Sequence, residues 1–265
     1  MSATSATTPK MDMRTCVFLV LTLSVCVNAF ACVLATLPIP GSRNARAALG
    51  LLTFRAALVS ALLGFMYRIA YSVKRPSSRT LAGFKEVLDP IVDSNGFQYS
   101  AYCLIFLPGR PMPTVLFPLA TCAAYQAGTI LNKHFGHTGA WQKSGAAALF
   151  AHAQENMHRA MMTCATTEIT TLPVVLAELF TPRRSFARAF ALANLLRRRY
   201  RCPDNTVFRI KYTYYDAGYY HRQFWHMLDE KAAPVLAKVP PLAALVRTVK
   251  ARLAGNRSTR KPKAL

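Results

Sequence analysis

Charge placed where charge is costly marks the residues of this chain that are equipped for chemistry. Glu168 stands near the middle of an otherwise uncharged run, TCATTEITTLPVVLA, and Arg55 interrupts a second apolar stretch, residues 47–71. An ionised side chain inside a segment of hydrocarbon length marks a substrate or ion path, or else a pairing that holds helices together. Three chemistries follow for Glu168: a polar cavity shared with Arg55, an ion pair with Arg55 that only ties a bundle, or a protonated carboxyl hydrogen-bonded to a neighbouring helix.

The other titratable groups form no catalytic constellation. His152, Glu155 and His158 are spaced in threes, a step that drifts around a helix and leaves a metal shell incomplete. His221 and His226 point in different directions. No nucleophile elbow, P-loop, zincin or glycine-rich dinucleotide pattern occurs. No catalytic residue, cofactor or metal is therefore assigned. Of the seven cysteines, six lie in apolar stretches and none forms a CxxC pair, so they read as small buried hydrophobes. Cys202, beside Arg201, is the exception, placed where a membrane-proximal thiol can be palmitoylated.

The elements that position these residues are built for lipid. Hydrophobic residues make up 52% and charged residues 17% of the 265-residue chain, against about 45–50% and 25% in ordinary soluble domains. Yet 33 Lys+Arg against 11 Asp+Glu leave a formal charge of +22, which suits anionic headgroups or acidic partners. The run around Glu168, from Ala160 to Phe180, would be about 31 Å long as a helix, one hydrocarbon thickness. It passes at Thr181-Pro182 into Arg183, Arg184, Arg188, Arg197, Arg198, Arg199 and Arg201. A basic block just past a span opposes translocation, so this cluster is expected to stay cytosolic and set the topology.

Cys16 to Leu37 is uncharged over about 22 residues, enough for a helical span. A cleaved signal peptide is the competing reading, with Lys10 and Arg14 ahead of the run and Ala29-Phe30-Ala31 resembling a cleavage site. Residues 47–71 form either a second span with Arg55 buried or snorkelling, or an interfacial helix. A short surface helix is expected over Thr80 to Val92. FQYSAYCLIFL is too short to span alone, and a Pro-rich break, residues 108–113, joins it to TVLFPLATCAAYQAGTIL. The two arms make either a hairpin in one leaflet or two helices of a compact bundle. Asn132 to Lys143 reads as a polar loop, and Ser144 to His158 as a helix leading into the anchor. Pro173 kinks that anchor, with Thr170 or a neighbouring group meeting the freed carbonyl.

Past Arg201 the chain is aromatic and basic; Phe208, Tyr212, Tyr215 and Tyr219 follow helical spacing. These aromatics suit either the headgroup level or a helix core. In Leu242 to Ala254, Leu242, Leu245, Val246, Val249 and Leu253 share a face, flanked and opposed by Arg247, Lys250 and Arg252. That is the pattern of a helix lying on an anionic membrane surface, or of one docked on the protein. The fold class is all-α: an integral membrane helical protein with three or four apolar spans or hairpins and a C-terminal basic amphipathic helical region. Its divisions are a disordered tail at 1–15, a membrane-embedded domain at 16–180, a basic aromatic cytosolic region at 181–254 and a disordered basic tail at 255–265.

Three stretches resemble one family in order: FRAALVSALLGFMYRIAYSVKRP, QYSAYCLIFLPGRPMPTVLFPLATCAAYQAGTILNK, and TCATTEITTLPVVLAELF followed by LLRRRYRCPDNTVFRIKY. The family is that of transmembrane protein 33, with the fungal nuclear-pore membrane proteins and the Krüppel-homologue proteins. The resemblance implies an all-helical protein of the endoplasmic reticulum membrane and nuclear envelope, multi-pass, with a cytosolic C-terminus and no catalysis. It further implies membrane shaping beside reticulon-type proteins and contact with nucleoporins or an import receptor, Leu242 to Ala254 being the counterpart of the family's membrane-binding helix. The expected partner is a bilayer with anionic headgroups, and no nucleic acid. Competing readings are a subunit or enzyme of membrane lipid metabolism or transport, with Glu168 and Arg55 in a polar cavity, and an accessory subunit of an organellar membrane complex.

Overall fold

The computed structural model describes residues 11–38, 42–72, 94–181, 184–201 and 217–238, with isolated positions between 80 and 92 and at 244 and 248. The helix expected over Thr80 to Val92 falls largely outside the described residues. Outside them entirely lie Cys202 and the aromatics Phe208, Tyr212 and Tyr215. So do all eight residues assigned to the membrane-surface helix, Leu242, Leu245, Val246, Arg247, Val249, Lys250, Arg252 and Leu253.

Everything described is helical or connecting, with no strand among the described residues. The helices are α1 (Met13–Thr36), α2 (Arg43–Ser72), α3 (Asn95–Phe106), α4 (Pro113–Phe135), α5 (Gly139–Lys143), α6 (Ala146–Glu155), α7 (Met157–Glu178), α8 (Phe186–Arg201) and α9 (Ala217–Lys238). Four of them, α1, α2, α4 and α7, are long and apolar enough to cross a membrane. Only 28–39% of their most apolar windows is buried within the chain. Val20, Val27 and Phe30 on α1 are each about two-thirds exposed, as is Leu52 on α2. In water such stripes would be costly; in lipid they are the solvated face.

Local sequence explains the ends. Asp12 caps α1 by accepting from the Arg14 backbone N–H, and the helix stops at extended Leu37 ahead of Pro38. Ser94 caps α3 in the same way, its hydroxyl accepting from Phe97 N–H. Pro113 opens α4 at a position where a missing N–H costs nothing. The stretch read as a polar loop from Asn132 is instead the last turn of α4 and then α5, entered through the Thr138 cap. Gly145 sits at φ +72, a left-handed turn that starts α6.

The α1–α2 contact is made of small residues. Gly50 and Gly64 let α1 approach until Ala35 and Leu21 stand in ordinary contact with where a Cβ would be, and Ala57 and Ala61 are buried between them. The Ser24 and Ser60 hydroxyls lie 2.9 Å apart across the same seam. Close backbone approach is how helices associate where lipid removes the hydrophobic drive. Helix α4 packs on α1 and α7, whereas α3 packs on α2 and α8, so the two arms around the Pro-rich break belong to a bundle and form no isolated hairpin. Along α7, Thr163, Thr166, Thr167, Thr170 and Thr171 all turn their hydroxyls onto carbonyls of the preceding turn. Thr170 thus bonds Thr166 and Thr167 rather than the carbonyl freed by Pro173.

The seam fixes a prediction. Ala57→Leu forces extra methylenes into a fully buried position and is expected to destabilise by about 1–3 kcal/mol, whereas Leu52→Ala, on the exposed face of the same helix, leaves unfolding nearly unchanged. Thermal unfolding of the detergent-solubilised chain measures both; equal transitions for Ala57→Leu and the parent would show that this seam is not close-packed.

Candidate functional site

Glu168 is fully buried and satisfied from three directions. The Tyr99 hydroxyl on α3 donates to its Oε1 at 2.9 Å. The Arg199 guanidinium on α8 forms an ion pair with its Oε2, and His221 Nε2 on α9 reaches the same oxygen at 2.8 Å. Arg199 and His221 are themselves fully buried. The guanidinium lies over the Tyr99 ring, 4.3 Å from its centroid, with Tyr102 at 5.7 Å. Phe65 on α2 stacks on the Tyr99 ring itself, at 5.3 Å and 15°. One carboxylate therefore joins α3, α7, α8 and α9, with α2 behind.

The charge balance follows from the partners. Glu168 and Arg199 cancel, so a second cation would be uncompensated. Burial pushes the His221 imidazole below its ordinary range, against the pull of Glu168 and with the repulsion of Arg199 adding to burial. A neutral ring offers Nε2–H to Glu168 and leaves Nδ1 as an acceptor with no hydrogen-bond partner among the described residues.

Arg55 is not part of this centre. It is exposed on α2, a helix that buries the face carrying Thr53, Phe54, Ala57 and Leu58. The expected Glu168–Arg55 pair, in either its bundle-tying or its cavity form, is thus replaced by Glu168–Arg199. Glu168 is not among the residues lining two cavities between α1, α2 and α4.

The basic cluster is also redistributed. Arg188 bridges Glu178 at 3.0 Å while Arg199 meets Glu168, so α8 folds back antiparallel along α7. Arg184 and Arg199 consequently lie at opposite ends of a helix about 24 Å long, and the arginines do not form one block beyond the span. Arg184, Arg197 and Arg198 are exposed; Arg183 and the side chain of Arg201 lie outside the described residues. Standing inside RRRYR, Arg199 reads from the sequence as one more member of the topology-setting basic cluster. The signal that finds it is periodicity: buried Ala189, Leu192 and Leu196 lead by steps of three and four to Arg199 on the same face. His221 carries a weaker version, one turn before buried Phe224.

Cysteines 32, 103, 122 and 164 are buried, and the six described cysteines are free thiols. His152 and Glu155 approach only to 4.0 Å and both are largely exposed, while His158 turns to Tyr220. No group of three His, Cys, Asp or Glu suited to a metal occurs among the described residues.

The centre behaves chemically as a buried ion pair with neutral donors around it, an arrangement in which losing one partner strands the other. Arg199→Met is expected to destabilise by about 3–5 kcal/mol, and Glu168→Gln by a similar amount, while the double variant loses less than the sum of the two. Denaturant titration of the four proteins in detergent closes the cycle, and strictly additive losses would rule out the pair as the tie between α7 and α8.

A sequence profile of the family described as Transmembrane protein 33/Nucleoporin POM33 matches residues 5–217. No curated protein and no solved structure matched the chain. That profile covers most of the chain, including α1 to α8 and the Tyr99, Glu168 and Arg199 corner of the polar centre. The chain belongs to the transmembrane protein 33/nucleoporin POM33 family.

Proposed function

We propose that the chain is a non-enzymatic, multi-pass organiser of endoplasmic reticulum and nuclear-envelope membrane, acting on tubule shape and on nucleoporin or reticulon-type partners. The observation that carries this reading is membership of a family whose description names a transmembrane protein and a nucleoporin, in a chain with four apolar helices of spanning length. The polar centre supports it: Glu168 is occupied by ties to three other helices, the work of a scaffold, rather than turned toward a path.

The proposed orientation rests on charge, and it reverses the expectation for Arg184, which falls with the α7–α8 turn at the opposite end of the bundle. The start of α1 and the ends of α2 and α4 meet at one end of the bundle, where Arg14, Arg68 and Lys133 gather, and α8 runs back from the far end of α7. With the basic C-terminal sequence following α8 and α9, the positive-inside rule puts this end in the cytosol. The segment Leu242 to Ala254 then grips the cytosolic leaflet, its basic residues contributing about 1 kcal/mol each near an anionic surface.

Full-length protein tagged at its N-terminus is expected to label the reticular network and nuclear rim, and to change tubule abundance when overexpressed. Signal confined to mitochondria or another organelle would sink the reading and favour an accessory subunit elsewhere. A peptide covering 239–257 is expected to bind anionic liposomes and to be released by Leu245→Asp with Val249→Asp; binding unaffected by both changes would remove the surface-helix role.

A further inference from the structure

A cavity of about 300 Å³ opens between the first turns of α1 and the last turns of α2 and α4. Arg14, Arg68, Lys133 and His134 line it, contributed by three helices, and no carboxylate is among its lining residues within the described part of the chain. The two arginines are set against aromatic faces: Arg14 lies 4.7 Å from the Tyr71 ring centroid and Arg68 lies 5.5 Å from that of Phe18. A guanidinium set against a ring still offers N–H donors to a planar or tetrahedral oxyanion. Phe18 and Ile130 supply apolar wall beside the charge. Asp12, just outside the lining, already accepts from the Arg14 backbone N–H as the α1 cap.

We propose that this cavity binds the phosphate head of an anionic membrane phospholipid. Two features select a lipid rather than a free anion. The cavity sits at the ends of three helices of spanning length, where headgroups lie, and its wall combines cations with apolar surface that an acyl-glycerol segment covers. Basic pockets between spans on the cytosolic side are a recognised setting for anionic headgroups. A lipid held there bridges α1, α2 and α4, so the site couples the bundle to the charge of its leaflet. The inference rests on the membrane reading above and adds to it a defined site.

The test uses full-length protein in neutral detergent, titrated with dioctanoyl phosphatidic acid and followed by native mass spectrometry. Saturable binding is expected, with no comparable binding of dioctanoyl phosphatidylcholine. Arg14→Gln with Lys133→Gln removes two exposed cations at little risk to folding, and is expected to weaken binding roughly thirtyfold. Arg68→Gln weakens it as well. Arg43→Gln with Arg55→Gln removes the same charge from exposed positions of α2 outside the cavity and is expected to leave affinity unchanged. Equal losses in both double variants, or none in either, overturn the site. Inorganic phosphate displacing the lipid at similar concentration overturns the lipid assignment in favour of a free-anion site. Release of the wild-type protein from membranes by alkaline carbonate would defeat the membrane reading itself, and is scored independently of the titration.

Discussion

A carboxylate that is fully buried inside an apolar helix has to be answered, and the answer given to Glu168 organises half of this molecule. Removing a carboxylate from water costs several kcal/mol, recovered only when charge and hydrogen bonds are supplied at close range. Here the supply comes from Tyr99, Arg199 and His221, on helices separated by long stretches of sequence. Satisfying one side chain therefore fixes where α3, α8 and α9 stand against α7. It also sets register: with Arg188 on Glu178 and Arg199 on Glu168, α8 cannot slide along α7 without breaking both pairs.

The remaining half is held differently. Between α1 and α2 no ion pair bridges the described seam, and close approach over Gly50, Ala57, Ala61 and Gly64 holds it together with the Ser24–Ser60 hydroxyl contact and the Arg14–Tyr71 and Arg68–Phe18 contacts at its end. The outward chemistry divides along a related line. Around the α7–α8 turn, Phe180, Phe186 and Phe190 are exposed beside Arg184, and further back along the hairpin the exposed residues include Val174, Leu176, Thr163, Asn194, Arg197 and Arg198. Outside α1, exposed Val, Leu and Phe run the whole length of the helix. Lipid thus suits all of α1 and the outward Val174 and Leu176 of α7, while Asn194, Arg197 and Arg198 make the outer face of the last turns of α8 polar.

Sequence made α1 and α7 legible as spans because their signal is local and additive, whereas α2, interrupted by Arg55 and Arg68, reads equally as an interfacial helix and α4 equally as one arm of a hairpin. Glu168 was legible for the same reason, as an outlier against its own neighbourhood. Its partner was not. Arg55 looked equivalent to any other intramembrane cation until helix phase is considered; the buried face of α2 passes through Thr53, Phe54, Ala57 and Leu58 and leaves Arg55 outside. Arg199 was hidden by the opposite effect, since four arginines in RRRYR overwhelm the one that shares a face with Ala189, Leu192 and Leu196. The fold-back of α8 was beyond reach, because nothing within residues 183–201 states which way the chain turns after Pro182. Only the long-range pairs decide it.

The choice of arginine at position 199 is itself informative. A lysine would bring a compact, strongly hydrated ammonium to Glu168, whereas a guanidinium is more weakly hydrated and can pair with a carboxylate while its flat face covers aromatic rings. Tyr99 and Tyr102 supply those rings, and Tyr99 also donates to the same carboxylate, so anion, cation and ring form a closed set in which each member satisfies two others. Such a set cannot be assembled by halves. Tyr99 and Glu168 come together only when α3 meets α7, and Arg199 has a tolerable site only when both are in place. In a medium that gives helices little hydrophobic reason to associate, that mutual dependence makes the docking of α8 all or none. A helix bearing exposed arginines is thereby kept against the apolar bundle instead of drifting into water.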